Sequence, residues 1–491
     1  MALSFFLPNW LTRQVSAVTP GHDPPLRGEL LSLEQLTSQA KELAQQHLVA
    51  ITKGSTRLLA RLDYNEQILR EYTRETYATK RTRRVTHAGE WLLDNFYLIE
   101  EQIQMARRHL PRGYSRELPS LMTGPSEGLP RVYDLMLQLI SHVDAQVDIE
   151  PLSAFVAGYQ TVSPLKLGEL WAIPIMLRLG LLEDLQRIAS RMTIARKDRD
   201  LADEWVGRLQ ETAQKNPQQM VVVVADMAKS NPPLTSPFVA EFCQHLSRQG
   251  PLLNLARSWL EGRLAEYGLS IEQMVERESQ HQAADQITVR HSIGALRFLG
   301  TQDWKEFVET LSLVEQTLVT DPAGVYGTMD FATRDRYRHT VERLARHSKF
   351  TEEEVAQHAI ELAASSAQTS GREQRTAHVG YYLIDKGGPA LEQLLTVRWP
   401  WRAKVERAIQ RWPMVYYGGG VTLLTAGPTA ALVAHTARLG IGGWKLWFCV
   451  MVFGLASSQL AIGLVNWLST LLVKPGSLPR LDYSKGIATD C

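Results

Sequence analysis

The sequence predicts an all-α protein in which an irregular cytoplasmic helical domain is followed by a two-helix transmembrane hairpin. Three observations carry this. Apolar residues recur at three- and four-residue spacing through most of the first 395 positions, with capping signals at helix starts. Alternation at period two is almost absent, and Val221 to Val224 is the β-branched run that most tempts a strand reading. Two late segments, Met414 to Thr436 and Leu446 to Val473, carry no formal charge over 23 and 28 residues. At about 1.5 Å of rise per residue, the first matches the roughly 30 Å hydrocarbon core of a bilayer and the second is longer than that core requires.

Taken in order, residues 1–25 hold Pro8, Pro20, Pro24 and Pro25 without a sustained period and read as a loose arm. Met1 to Pro8 is apolar but has no basic n-region and is not read as a signal peptide. The helical domain is expected over residues 26–395. Ser32 with Gln35 has the form of a capping box and opens a helix to about Thr52, and another helix runs from Ser55 to Thr79. Leu92, Phe96, Ile99, Ile103 and Ala106 make an amphipathic stripe that Pro111 stops. From Pro111 to Pro130, four prolines and three glycines make a loop that should hold no regular element.

Helical periodicity resumes at Val132. Ser163 before Pro164 is a start signal for a helix from Leu165 to Leu182 that is apolar on most faces, with Lys166, Glu169, Arg178 and Pro174 arguing for buried core rather than a membrane segment. Further helices are expected over Lys197–Thr212, Pro237–Ser247, Leu252–Tyr267, Ile271–Leu299, Trp304–Leu318, Phe331–Ser348 and Glu352–Ala364. Ser270 with Gln273 and Thr351 with Glu354 repeat the capping-box pattern.

Residues 396–413 form a basic and aromatic interfacial segment, 414–436 and 446–473 the two spans, and 474–491 a stub. The nine-residue link Ala437 to Lys445 permits only an antiparallel turn. Arg398, Arg402, Lys404, Arg407 and Arg411 precede the first span, Lys474, Arg480 and Lys485 follow the second, and the link carries only Arg438 and Lys445. That bias places both termini in the cytoplasm. Trp399, Trp401, Trp412, Tyr416, Trp444, Trp447 and Trp467 suit the aromatic belts at the headgroups, and glycines at Gly418 to Gly420 suit close helix packing. Net charge is +1, from 53 basic and 52 acidic residues, which gives no broad basic surface for nucleic acid. Cys243, Cys449 and Cys491 are too dispersed for a disulfide framework or a metal motif.

Chemical motifs are few. Gly124-Pro125-Ser126-Glu127-Gly128 matches the nucleophile-elbow pattern, but it lies inside the proline-rich loop, without the strand before and helix after that the strained serine needs. Asp198 and Asp200 have the paired form of carboxylates that hold a cation on a diphosphate, yet they lie in the charged run Arg196 to Glu204, where a solvated helix face is expected. Gly418 to Gly420 lacks the Lys and Ser/Thr of a phosphate loop, and no histidine pair has zinc-helix spacing. No catalytic, cofactor-binding or metal residue is assigned.

Several blocks in one order carry a resemblance. They are Glu90-Trp91-Leu92-Leu93-Asp94-Asn95-Phe96 with Glu100-Glu101-Gln102-Ile103, Leu129-Pro130-Arg131-Val132-Tyr133, Leu167-Gly168-Glu169-Leu170-Trp171-Ala172-Ile173, and Met329-Asp330-Phe331-Ala332-Thr333-Arg334-Asp335-Arg336-Tyr337-Arg338-His339. From about Leu26 onward the chain resembles the N-terminal region of bacterial cyclic β-1,2-glucan synthases. The resemblance implies a multi-pass protein of the bacterial inner membrane, in which a helical region and a first hairpin lead into a cytoplasmic transferase that polymerises glucose from UDP-glucose. Leu481 to Ile487 resembles the lead-in to that domain. The family's catalytic carboxylates and divalent cation would then lie beyond Cys491, so the chain is expected to be truncated and inactive alone. Gln410-Arg411-Trp412 only superficially resembles the acceptor motif of processive synthases and is expected to be an interfacial anchor. The expected partners are the lipid bilayer and a glycosyltransferase domain on the same or a second chain. The alternative is a membrane-anchored helical scaffold that binds a separate partner protein.

Overall fold

The computed structural model describes residues 26–50, 57–80, 85–110, 117–246, 253–371, 374–440, 443–472 and 479–482. The expected N-terminal arm, Ser55, Cys491 and most of the stub lie outside these. The described chain is almost entirely helical, as expected, and divides into two compact units, residues 1–312 and 313–491. The division falls inside the stretch expected as one helical domain.

Within the first unit the organising element is a helix of 49 residues, Leu167–Lys215, about 74 Å long at 1.5 Å per residue. It merges the two helices expected over Leu165–Leu182 and Lys197–Thr212 and carries Pro174 inside it. Its start is also corrected. Ser163 and Pro164 lie before the helix, where the guanidinium of Arg131 donates to the Ser163 hydroxyl and the Pro164 carbonyl, both at 2.7 Å. The first turn is closed instead by Glu169, which accepts from the Lys166 amide at 3.0 Å. Leu170, Ile173, Met176, Leu177, Leu181 and Leu185 pack it against the Arg57–Thr79, Phe96–His109 and Arg131–His142 helices in one core, while Trp205, Val206 and Leu209 belong to a second core with Phe238, Phe242 and Leu260.

The three capping boxes form as expected. Gln35, Gln273 and Glu354 accept from the amides of Ser32, Ser270 and Thr351 at 2.8, 3.0 and 2.7 Å, and those side chains accept in return. Four expectations are corrected. The helix from Leu33 ends at Gln46, because Val49–Ala50 pairs antiparallel with Ser120–Leu121, a regular element in the loop where none was expected. Partner hydrogen bonds from a distant segment override the local proline signal. The amphipathic stripe is broken into His87–Asp94 and Phe96–His109 at buried Asn95, whose amide donates to Trp91 O at 2.9 Å and accepts from Arg297 at 2.6 Å. Trp304–Leu318 is likewise two helices, Trp304–Leu311 and Leu313–Leu318. Val221 to Val224 lie in the Met220–Ser230 helix and not in a strand.

The second unit packs Leu313–Leu318, Phe331–Arg346, Glu352–Ser370 and Val379–Ile384 around Tyr337, Val341, Val355 and Leu383. Its polar centre is Glu315, which accepts from Arg334 at 2.8 Å, Arg338 at 2.6 Å and the Tyr326 hydroxyl at 2.6 Å. After Trp401–Arg411 come two long helices, Pro413–Arg438 and Trp444–Leu472, packed on one another. By length and composition only the second, over Trp444–Leu471, is long and apolar enough to cross a membrane among the described residues. Of the two spans expected, only the second meets that test among the described residues, and the first, Pro413–Arg438, does not. Gly418 to Gly420, Gly427, Pro428 and the threonines at 422, 425, 429 and 436 dilute the apolar character of the first.

Candidate functional site

Ser126 is buried in the turn between Ser120–Leu121 and the Arg131–His142 helix, and its hydroxyl donates to Asp134. The other oxygen of Asp134 lies 3.2 Å from Nε2 of His47, and Nδ1 of His47 lies 2.9 Å from the Tyr159 hydroxyl. A nucleophilic serine needs the imidazole against its hydroxyl, with the carboxylate behind it. Here the carboxylate stands between the two, so the arrangement ties the loop to the helix instead of activating Ser126.

Asp198 and Asp200 both lie on the Leu167–Lys215 helix, and residues two apart on a helix do not face one another. Asp198 accepts from the Thr235 hydroxyl at 2.7 Å, and burial holds its carboxyl above the ordinary value against the opposing effect of that bond. It lines a cleft of about 500 Å³ in which every arginine already faces an acid: Arg27 reaches Asp285 at 2.8 Å, Arg191 shares Asp285, and Arg199 reaches Glu278 at 3.2 Å. The geometry is an ion-paired seam between helices rather than a paired-carboxylate cation site. His245 lies 3.3 Å from Asp203 and 3.1 Å from Glu241, linking two helices at the surface.

A cleft that sequence reasoning missed lies beside the Ser126 turn. It has a volume of about 440 Å³ and is lined by Arg57, Arg61, Tyr64, Asn65, Pro125, Glu127, Leu129, Glu183 and Gln186. The Gly124–Gly128 motif is one wall. Gly128 sits at φ +76°, where an added Cβ would meet the Arg57 guanidinium at 3.1 Å, and that guanidinium donates to Glu127 O at 3.3 Å. At the base, Glu183 accepts from Arg61, from Arg187 at 2.7 Å and from the Tyr133 hydroxyl. Burial alone would raise the Glu183 carboxyl, but the Arg61, Tyr133 and Arg187 partners overcome it and hold it below its ordinary value. The signal that marks this site in the sequence is an acid, Glu183, closing a helix otherwise read as apolar core.

The two long helices of the second unit present mostly exposed apolar side chains: Trp447, Met451, Leu455, Leu460 and Leu471 are each more than 60% exposed. Ser457, Ala461 and Val465, four residues apart, are the buried stripe against the first helix, where Gly420 faces Val465 and the Tyr417 hydroxyl donates to Asn466 at 3.0 Å. Gly418 and Gly419 meet nothing across the pair, so of these three glycines only Gly420 takes part in packing. Both feet of the pair are fastened to the same helical unit. At the first, Arg398 N donates to His347 O at 2.8 Å and Arg407 reaches Glu392 at 2.6 Å. At the second, Asp330 N donates to Arg480 O at 3.0 Å, Arg480 N to the Thr333 hydroxyl at 3.0 Å, and Asp482 N to Thr328 O at 2.9 Å. Trp412, in the triplet expected as an interfacial anchor, is 61% exposed.

These features define an all-α protein carrying two long packed helices, of which the second is long and apolar enough to cross a membrane. The chain is similar to an N-terminal part of the cyclic beta-(1,2)-glucan synthase NdvB of Rhizobium meliloti (strain 1021), with 28% identity over 484 residues. The match covers 98% of this chain and 17% of that relative's length. No family model matches the chain.

Proposed function

We propose that this chain is the membrane-anchoring, N-terminal part of a bacterial inner-membrane cyclic β-1,2-glucan synthase, with both helices of the hairpin in the bilayer and both of its ends in the cytoplasm. The observation that carries this reading is the pair of fastened feet. Arg398 and Arg480 bracket two helices whose outward apolar surfaces exceed what water tolerates, and both return to one helical unit. A single span would separate those feet across the membrane. The basic residues at both feet favour the cytoplasmic side.

In this reading the chain supplies position and anchoring, while UDP-glucose and its divalent cation are bound by a transferase portion. Reporter fusions test the topology: a fusion at Gly440 should report the periplasm and one after Asp482 the cytoplasm. Membranes holding this chain by itself should form no glucan from labelled UDP-glucose, and co-expression with a transferase portion from a related synthase should restore it. Glucan formation by this chain unaided would overturn the anchoring role.

A further inference from the structure

The cleft beside the Ser126 turn is unused by the anchoring role, and its chemistry is specific. Asn65 lines it at 5% exposure, and its carboxamide has no hydrogen-bond partner among the described residues. Gln186, 4% exposed, donates one amide hydrogen to Ser190 at 2.9 Å and also lines the cleft. A carboxamide on so buried a residue is rarely left without a partner, so Asn65 marks a group open to a ligand or its water, while Gln186, lining the same cleft, is tied to Ser190 through one amide hydrogen. The formal charges match in number, Arg57 and Arg61 against Glu127 and Glu183, and Arg61 is held by Glu183. No net charge is offered to an anion or a cation. Tyr64, 42% exposed, and the Pro125 ring add apolar faces at the rim.

We propose that this cleft binds a neutral, polyhydroxylated sugar, with the Asn65 and Gln186 amides each serving a hydroxyl as donor and acceptor and Tyr64 covering an apolar C–H face of the ring. Its volume of about 440 Å³ lies within the range of small-molecule sites, about 300–1,000 Å³. The cleft rests on the glucan-synthase reading only for the identity of the sugar, which that reading makes a β-1,2-linked glucose chain growing near its anchor.

The test uses the full chain in lipid nanodiscs, because sugar-headed detergents would compete. Saturation-transfer NMR and titration calorimetry are run with the β-1,2-linked glucose disaccharide and, in parallel, with maltose. Saturable binding is expected, weakened at least tenfold in Asn65→Leu and in Tyr64→Ala, with circular dichroism and melting temperature recorded for each. Tyr64 is exposed, so its variant reports on binding even if the Asn65 variant fails to fold. Absence of saturable binding by the unaltered chain, or equal binding in folded variants, overturns the proposal. Equal affinity for both disaccharides supports the cleft while counting against the glucan-synthase reading, so the two fail separately.

Discussion

Arg61 holds Glu183 in a two-pronged grip, Nη2 donating to Oε1 at 2.5 Å and Nε to Oε2 at 3.2 Å, across 122 residues of sequence. With Arg187 on the same carboxylate, Glu183 is the electrostatic hub of the first unit's core. Glu183→Ala leaves two guanidiniums and the Tyr133 hydroxyl without their shared acceptor. Removing one partner of a buried ion pair costs about 3–5 kcal/mol, and the lower end is expected because Arg61 is 40% exposed. Thermal and denaturant unfolding of the variant in nanodiscs measures this.

The same hub sets a pH dependence. Because the Glu183 carboxyl is held below its ordinary value, its contribution is complete above the unfolded-state value, 4.5, and is lost as pH falls through the lower folded value. Glu183→Gln should therefore be less stable than the parent near neutrality and should show a flatter loss of stability in acid. A parallel acid decline in both proteins would remove Glu183 as a source.

Ser126→Ala should cost only the hydrogen bond to the Asp134 carboxyl, about 1.5–3 kcal/mol. Fluorophosphonate probes should leave Ser126 unlabelled in the folded chain, since His47 contacts the far side of Asp134. Stoichiometric labelling at Ser126, read by peptide mass spectrometry, would contradict that geometry.

Thr333→Val removes the hydroxyl that accepts from Arg480 N while keeping the side-chain shape. Loss of about 1 kcal/mol at the second foot should raise local opening roughly fivefold. Limited proteolysis near residues 479–482 should quicken accordingly, with the helical base unchanged.

Burial pushes the Cys243 thiol up to about 11. In a variant with Cys449 and Cys491 replaced by serine, alkylation of Cys243 at pH 7.5 should be far slower than that of a free thiol and should rise only in strong alkali.

Helix starts were legible where the signal is local. The boxes at Ser32, Ser270 and Thr351 close within three residues, and nothing distant competes with them. Signals that depend on a distant partner misled. Ser163 and Pro164 form a sound start motif, yet Arg131 takes both, and the helix waits until Leu167. Asn95 reads as one polar residue in an amphipathic run, and the guanidinium of Arg297 helps make it a break.

By itself the sequence determined the helical class, the apolar helix over Trp444–Leu471 and the likeness to a glucan synthase, because periodicity, charge and ordered blocks are properties of neighbouring residues. Only the tertiary structure decided where the hairpin's feet are fastened and that Ser126 faces Asp134. It alone brought Asn65, Glu127 and Glu183 to one cleft. Apart from Ser126 and Asp134, which a turn brings together, those relations join residues tens to hundreds of positions apart, whose approach is set by how the helices pack and leaves no period in the chain.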